Sequence, residues 1–591
     1  MLLRIRFDLR RNQLFHKHPF QLFENVSALA YTARHHTAFL PAPGRNAGRL
    51  RFRFRLSAGS SLGLHLNLNL DLHTWTNQEA DLKTLATLEP LTTRLLEIQR
   101  INSAASVLSW DQETYMPAGG GEARAEQIAV LQGIAHRKLV SSEVQSLLSQ
   151  WVDPVTGQAA ERPGDTWDEP SRSLLREVWR DFSRAQKLPS DFVMKLSREC
   201  SLAQQVWAEA KQHNKFSMFL PNLRTVLQLK REEAEYLGYE DSPYNALLDV
   251  YEPGATIAAL QPMFAVLKAR LVPLLKKITR SRVRIDDSIL HRSYDHGRQL
   301  EFGRLVLTAM GYDFDRGRLD LSAHPFTTSF HPTDVRVTTR VHEHELQSCL
   351  FSCIHEGGHG LYDQGLDQRY FGTPLGDSVS LGIHESQSRL WENCVGRSRP
   401  FWRFFYPILQ QTFPDQLHGM GVDQFYAAIN CVKPSLIRVE ADELTYNLHI
   451  MLRFEIEQGL VEGKTRPDEL PALWNQKMEE YLGIRPPSDT EGVLQDVHWS
   501  FGAFGYFPTY TLGNLYSVQF FEQAQLELPQ LETDIAAGQL LPLRRWLEQK
   551  IHRWGRMFTP THLAERITGS SLRPEPFLNY VEQKYGELYQ L

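Results

Sequence analysis

The chain has 591 residues, of which 42% are apolar, 11% aromatic and 23% charged, and these values exclude a disordered or collagen-like protein. A net charge of −5 gives no overall attraction to nucleic acid, and no apolar run approaches the 18 residues of a transmembrane helix, so neither nucleic acid nor a membrane is expected as a partner. Five cysteines are too few for a disulfide scaffold, and their odd number favours free thiols in a reducing compartment.

The first 75 residues differ from the rest. Residues 1–70 hold ten arginines and one lysine against Asp8 and Glu24, a net charge of +9, which leaves −14 for the remainder. The segment has no apolar core of a secretory signal, and its arginine content is typical of an organelle transit peptide. Residues 49–72 alternate apolar and polar around a Gly/Ser turn, as a hairpin does. We expect a basic extension that is a leader, disordered or non-native, or an accessory hairpin.

Residues 76–591 are expected to form a single all-α domain of amphipathic helices with little β structure and a deep central cleft. Leucines at three- and four-residue steps predict a helix over residues 82–98. Similar patterns predict further helices over residues 123–139, 171–187, 223–237, 257–278, 346–361, 385–395, 444–460 and 541–554. The cytoplasm is the expected location, with an organelle as the alternative if the N-terminal segment is a leader.

The most informative motif is His355-Glu356-Gly-Gly-His359 on the predicted helix 346–361. Residues four apart share one helix face, so the imidazoles of His355 and His359 can hold one metal ion, with Glu356 beside it as general base. The adjacent glycines, Gly357 and Gly358, each destabilise a helix by about 1 kcal/mol against alanine, so they indicate close approach of another element. The same helix carries Cys349 and Cys353, which could bind a soft metal but are more typical of core thiols.

A catalytic zinc usually has three protein ligands, so a third is expected on a following helix. Glu385 is the candidate, and the neighbouring His384, which points about 100° away on the same helix, is its competitor. Glu392 or Asp377 could accept a hydrogen bond from a ligand imidazole.

At this point the sequence resembles the thermostable carboxypeptidase 1 family, all-helical metallocarboxypeptidases built around the H-E-x-x-H motif. The resemblance covers residues 80–591. It rests on six short sequence motifs that occur here in the same order as in the family. They are Ser109-Trp-Asp-Gln-Glu-Thr-Tyr-Met-Pro117, His324-Pro-Phe326, Asp334-Val-Arg-Val-Thr338, His355–His359 with His384-Glu-Ser-Gln-Ser388, Ile437-Arg-Val-Glu-Ala-Asp442, and Gly492-Val-Leu-Gln-Asp-Val-His-Trp499. Residues 1–75 have no counterpart in the family.

The resemblance implies the metal ligands His355, His359 and Glu385, with Glu356 as the catalytic acid and base. It also implies a homodimer, and peptide substrates that carry a free C-terminus. The expected activity is release of single amino acids from that end with broad specificity, with Zn²⁺ as cofactor and Co²⁺ as a possible substitute.

The resemblance also implies that the motifs around Arg336, Arg438 and His498 line the substrate groove, and the needs of the reaction suggest roles for these residues. A carboxypeptidase needs a cation for the terminal carboxylate of the substrate, and guanidinium can bind both oxygens, so Arg438 is the first choice and Arg336 the second. Either arginine could instead form a structural ion pair, with Asp442 or Asp334 respectively. Tyr510 or His498 could donate a hydrogen bond to the oxyanion, and Tyr506 is a further phenol nearby.

Three alternatives remain at this stage. A zinc oligopeptidase or endopeptidase on a similar helical scaffold would share the metal ligands but would tolerate a C-terminal amide. A helical binding protein with a vestigial motif would not need the intact Glu356. A nucleic-acid or membrane-surface binder would act through residues 1–56 and would lose its function when they are deleted.

Overall fold

The computed structural model describes residues 87–160 and 167–591, and these residues belong to one compact unit. The basic extension of residues 1–75, its hairpin at residues 49–72 and the boundary at residue 76 lie outside the described residues, so those predictions remain untested.

The described residues are mainly helical, with only three short strands, which confirms the predicted fold class. The α-helices are α1 (Glu89–Thr114), α2 (Gly121–Leu139), α3 (Ser142–Trp151), α4 (Glu169–Lys187), α5 (Ser190–Gln212), α6 (Phe216–Leu237), α7 (Pro243–Tyr251), α8 (Ile257–Arg280), α9 (His296–Met310), α10 (Leu346–Gly365), α11 (Leu381–Arg389), α12 (Arg399–Thr412), α13 (Val422–Ile429), α14 (Thr445–Val461), α15 (Leu470–Leu482), α16 (Pro508–Glu527), α17 (Leu531–Ala536), α18 (Leu541–Lys550), α19 (Pro560–Thr568) and α20 (Glu575–Tyr589). A π-helix, Leu390–Gly396, directly continues α11.

Seven short 3₁₀ segments lie between these helices. They are Ala118–Gly120, Ser288–His291, Gln368–Tyr370, Pro374–Gly376, Arg438–Glu440, Pro467–Glu469 and His552–Met557.

Three short strands form the sheet of the described part of the chain: β1 (Gly317–Leu321), β2 (Thr327–His331) and β3 (Asp334–Thr339). The central strand is β3, which pairs in parallel with β1, Gly317 opposite Val335, and antiparallel with β2, Thr327 opposite Val337. Both β2 and β3 pack against α10. The sheet therefore lies beside the helix that carries the H-E-x-x-H motif.

Most predicted helices are confirmed to within about four residues, but three differ, and one of these, α6, begins at Phe216 instead of residue 223. The first helix runs on to Thr114, beyond its predicted end at residue 98, so Ser109-Trp-Asp-Gln-Glu-Thr114 is helical; residues 82–86 lie outside the described part. The predicted helix 385–395 is α-helical only to Arg389 and then becomes the π-helix. A π turn contains an extra residue and so rotates the side chains that follow it, which moves Glu392 relative to Glu385.

Among the described helices, α8 alone is long and apolar enough to cross a membrane by length and composition. In the structure one face of this helix, which includes Leu267 and Leu271, is buried in the core, whereas Val266 is exposed. Its exposed face carries Lys268, which pairs with Glu480 at 2.6 Å, as well as Arg270. The helix thus packs as one layer of the helical body.

Two glycines allow the central helices to touch. A Cβ on Gly358 of α10 would lie 2.6 Å from the Cα of Ser388 on α11, and a Cβ on Gly513 of α16 would lie 2.4 Å from the Cγ of Glu385. Real Cβ atoms do not approach other atoms so closely, so only glycine permits these crossings. The prediction that the glycines beside the motif mark a close approach is confirmed for Gly358, and Gly357 likewise faces Leu307 of α9.

The Gly358→Ala substitution should therefore destabilise the protein. Because the contact is with backbone atoms, it cannot be relieved by a side-chain rotation, and we expect a loss of about 1–3 kcal/mol in the free energy of unfolding. Urea unfolding followed by circular dichroism measures it. Gly586→Ala in α20 is the matched control: nothing lies within 4 Å of its added Cβ, so a stabilisation of up to about 1 kcal/mol is expected. Equal midpoints for the two variants would contradict the close-approach account.

Candidate metal centre

Three side chains on neighbouring helices converge on one point. His355 and His359 lie one turn apart on α10, and Glu385 reaches them from α11. Its Oε2 lies 3.7 Å from Nε2 of His355 and 3.3 Å from Nε2 of His359, and one atom from each residue lies within 4.8 Å of the others. This is the only such group of three among residues 87–160 and 167–591. The structure thus brings together the three side chains predicted as ligands.

The donor set fits a divalent metal ion. Two imidazoles and one carboxylate are the ligand combination of several catalytic zinc sites. The side chains of His355 and His359 keep 18% and 12% of their surface exposed, so a substrate could reach a metal ion there. Three buried carboxylates, those of Glu356, Glu385 and Glu392, share this region with two guanidinium groups, those of Arg389 and Arg397. A cation would balance the excess negative charge.

The titration of these groups reflects that environment. Burial, together with the neighbouring His384, lowers the pKa of His359 to about 3, so the ring is neutral as a metal ligand requires. Burial also opposes ionisation of Glu385, but Arg389 and His355 outweigh it and hold its pKa far below the usual range. Burial alone would lower the pKa of His355, but the carboxylates of Glu385 and Glu392 raise it above its ordinary value. The surroundings of this ring therefore favour a positive charge.

The ligands are held by further hydrogen bonds. His355 donates from Nδ1 to Oε2 of Glu392 at 2.8 Å, and this second contact orients Nε2 toward the centre. Glu392 stands on the π-helix, where it also accepts from Arg389 at 3.3 Å. Arg389 donates its Nε–H to Oε1 of Glu385 at 2.6 Å, so one guanidinium fixes both carboxylates. Of the two acceptors that the sequence left open, Glu392 makes this contact.

The competitor His384 is not part of the group. Its Nε2 lies 3.2 Å from Oδ1 of Asp363, and its ring stacks on that of His359 with centroids 4.3 Å apart. It therefore packs behind His359 and lies outside the group that Glu385 completes. Cys349 and Cys353 are free buried thiols in the core, as the sequence favoured.

Glu356 lies beside the group on α10 and is held from the sheet. Thr327 of β2 donates its hydroxyl to Oε2 of Glu356 at 2.7 Å. Burial raises the pKa of Glu356 above its ordinary value, toward the range in which a carboxylate can take up and release protons near neutrality. The sequence analysis did not identify Thr327. Its position directly after His324-Pro-Phe326, one of the motifs shared with the family, could have pointed to it.

Arg438, His498 and Tyr510 form a second cluster. Nε2 of His498 lies 3.3 Å from the hydroxyl of Tyr510, and the guanidinium of Arg438 lies 5.0 Å from the centre of the Tyr510 ring. Burial lowers the pKa of His498 to about 3, so its imidazole is neutral. Tyr446 connects this cluster to the metal ligands: its hydroxyl accepts from Arg438 at 2.8 Å, and its ring lies under Arg389.

Arg438 has an ion-pair partner other than the one considered from the sequence. Its Nε and Nη2 donate to Oδ1 of Asp496 at 3.0 and 2.9 Å, whereas Asp442 accepts from backbone amides at the start of α14. The alternative pairing of Arg438 with Asp442 is therefore wrong, because the Asp442 carboxylate accepts backbone N–H groups at the start of α14 instead. Asp496 also pairs with Arg453 at 2.5 Å, so a single carboxylate faces two buried guanidinium groups and the cluster has an excess positive charge.

Arg336 has the partner expected from its sequence neighbourhood. Its guanidinium donates to both carboxylate oxygens of Asp334, at 2.9 and 3.0 Å, and lies 4.3 Å from the ring centre of Trp110. This is the structural ion pair that the sequence left open as an alternative to a role in substrate binding.

Comparisons with known proteins agree on one family. The family model described as carboxypeptidase Taq (M32) metallopeptidase matches residues 90–585. Thermostable carboxypeptidase 1 of Thermus thermophilus is 43% identical over 508 residues, which are 84% of this chain and 98% of the relative. Carboxypeptidase 1 of Bacillus subtilis is 38% identical over 497 residues, 84% of this chain and 97% of the relative. The crystal structure of an M32 carboxypeptidase from Deinococcus radiodurans R1 superposes with a TM-score of 0.81 at 39% identity, covering 86% of this chain and 100% of that one.

Removing the charge from Glu392 should weaken metal binding. Glu392→Gln keeps the shape of the side chain and an acceptor for His355 but makes that ligand less basic, so we expect a 10–100-fold loss of Zn²⁺ affinity. Competition with a chromophoric chelator measures it. Asp377→Asn, a change at the other carboxylate considered from the sequence, should leave the affinity within twofold of wild type, and an equal loss in both variants would contradict the assignment.

Proposed function

Because the chain belongs to the carboxypeptidase Taq (M32) metallopeptidase family and is a metal-dependent carboxypeptidase, we propose that it uses Zn²⁺ held by His355, His359 and Glu385 to release single amino acids from the free C-terminus of peptides, with broad specificity. The observation that carries the zinc assignment is the convergence of two imidazoles and one carboxylate on one point beside the buried Glu356. The oligopeptidase alternative is not supported, since the relatives above are all described as carboxypeptidases.

In this proposal Glu356 carries the proton. Held by His355, His359 and Glu385, a zinc ion would lower the pKa of a bound water molecule toward neutrality and would polarise the scissile carbonyl, and Co²⁺ could supply the same chemistry. The carboxylate of Glu356 takes the proton from the attacking water and passes it to the leaving amine. Thr327 holds that carboxylate through its hydroxyl, 2.7 Å from Oε2, and so keeps one rotamer in place for both proton transfers.

The second cluster supplies the remaining groups. The phenol of Tyr510 and the imidazole of His498 are neutral donors beside the metal ligands, suited to the negative charge that develops on the carbonyl oxygen. Arg438 uses three of its five N–H groups for Asp496 and Tyr446, which leaves two for the carboxylate of a substrate. The excess positive charge of Arg438 and Arg453 over Asp496 favours an anion at this place.

Two further parts of the proposal concern the state of the protein. We propose a homodimer, as the resemblance to the family implies, and a location in the cytoplasm. All five cysteines are unpaired, as is usual in a reducing compartment.

The direct test offers the zinc-loaded protein an N-blocked tripeptide as the free acid or as the C-terminal amide. We expect release of the last residue from the acid only. Glu356→Gln should lower kcat by 10²–10⁴ with zinc still bound, because the base is lost and the ligands are intact. Release of the amino acid is followed by chromatography, and bound zinc by elemental analysis.

The two arginines provide the control within the same experiment. Arg438→Lys should raise KM by about 10- to 150-fold, the cost of losing one charge-assisted hydrogen bond of about 1.5–3 kcal/mol. Arg336→Lys should raise KM less, because that guanidinium is committed to Asp334. Equal cleavage of acid and amide would show that the substrate carboxylate is not recognised, and full activity in Glu356→Gln would contradict the role of the base.

A further inference from the structure

Glu252 is a buried carboxylate that the chemistry described above does not use. It directly follows α7, and only 5% of its surface is exposed. Its Oε2 accepts the backbone N–H of Gly382 at 2.9 Å, whereas its Oε1 is buried without a hydrogen-bond partner in the structure. Burial raises its pKa to about 7, although the hydrogen bonds from Ser380 and Gly382 act to lower it. A carboxylate buried at such a cost requires a compensating interaction.

The compensating interaction is with the first turn of α11. Gly382 is the second residue of that helix, so its N–H has no partner within the helix and points out of the positive end of the helix dipole. Ser380 satisfies the next amide, that of Ile383, at 3.1 Å. A Cβ on residue 382 would lie 2.6 Å from Oε2 of Glu252, so a glycine at this position permits the carboxylate to approach the helix end.

The turn that carries Glu252 is itself fixed. Asp249 accepts the N–H of Gly254 at 2.8 Å and pairs with Arg180 of α4 at 3.0 Å, which anchors the turn to the helical body. Tyr251 packs its ring edge-on against Tyr506 with centroids 5.1 Å apart. One turn therefore contacts both the helix of the carboxylate ligand and the segment that leads to Tyr510.

We propose that Glu252 is a positioning residue for the metal centre: by holding the N-terminus of α11 it fixes the place of Glu385, three residues beyond Gly382. The inference rests on the proposed function, because it takes Glu385 to be a metal ligand. Glu252 touches neither the metal ligands nor the substrate groups named above, and it acts through the backbone of the helix.

The test compares Glu252→Gln and Glu252→Ala with Asp168→Asn. Asp168 is a matched control, since its Oδ1 accepts the N–H of Ser171 at 2.9 Å at the start of α4 and its Oδ2 is buried without a partner, but α4 carries no ligand. Zn²⁺ affinity is measured on each full chain by competition with a chromophoric chelator. We expect a loss of about tenfold for Glu252→Gln, up to about 100-fold for Glu252→Ala, and less than twofold for Asp168→Asn.

Hydrogen exchange of the zinc-loaded proteins gives a second measurement that does not depend on activity. The amides of residues 381–385 should exchange several-fold faster in Glu252→Gln than in wild type, and at the wild-type rate in Asp168→Asn. If Glu252→Ala does not fold, the role of Glu252 is judged from the Glu252→Gln variant alone.

The two proposals fail in different ways. A wild-type chain that binds no zinc overturns the zinc assignment and this inference with it. A wild-type chain that binds zinc, together with a glutamine variant of unchanged affinity and exchange, overturns the role of Glu252 alone.

Discussion

The close crossing of α10, α11 and α16 is the constraint on which the metal centre depends. Glu385 meets His355 and His359 only because Gly358 lets the backbone of α11 lie against α10, and because Gly513 leaves space for the Glu385 side chain. A methyl group at either position would push apart donor atoms that must lie within a few ångströms of one another. The same packing removes the carboxylates from water, and in that environment their interactions with the guanidinium groups are strong.

The buried charges around the candidate metal centre are arranged in chains rather than in isolated pairs. Arg389 joins Glu385 to Glu392, and Glu392 in turn holds His355. A second chain runs from Arg438 through Asp496 to Arg453, and Tyr446 lies between the two. The first chain has an excess of negative charge and the second an excess of positive charge, which suits a metal cation at one and a substrate carboxylate at the other. This separation of charge supports the proposed recognition of a free peptide C-terminus beside the metal ion.

The sequence predicted the helical fold and the ligand group because both follow from local rules. Helical periodicity places His355 and His359 on one face, and the string around Glu385 limits the third ligand to two neighbours. The features that the sequence could not predict depend on how elements far apart in the chain pack against one another. The π turn that brings Glu392 to His355, the pairing of Arg438 with Asp496 across 58 residues, and the hydroxyl of Thr327 on Glu356 all arise from tertiary packing. Glu252 lies 130 residues from Gly382 and has no sequence signal of its own.

The central claim is that the metal ion has two imidazole ligands and one carboxylate ligand, and X-ray absorption at the zinc edge tests it most directly. The zinc-loaded wild-type chain should show two imidazole nitrogens at about 2.0–2.1 Å and protein oxygen at about 2.0–2.2 Å. Glu385→Gln should keep the two imidazoles and lose the carboxylate contribution. Three imidazoles in both spectra would contradict the account, because His384 would then be the third ligand.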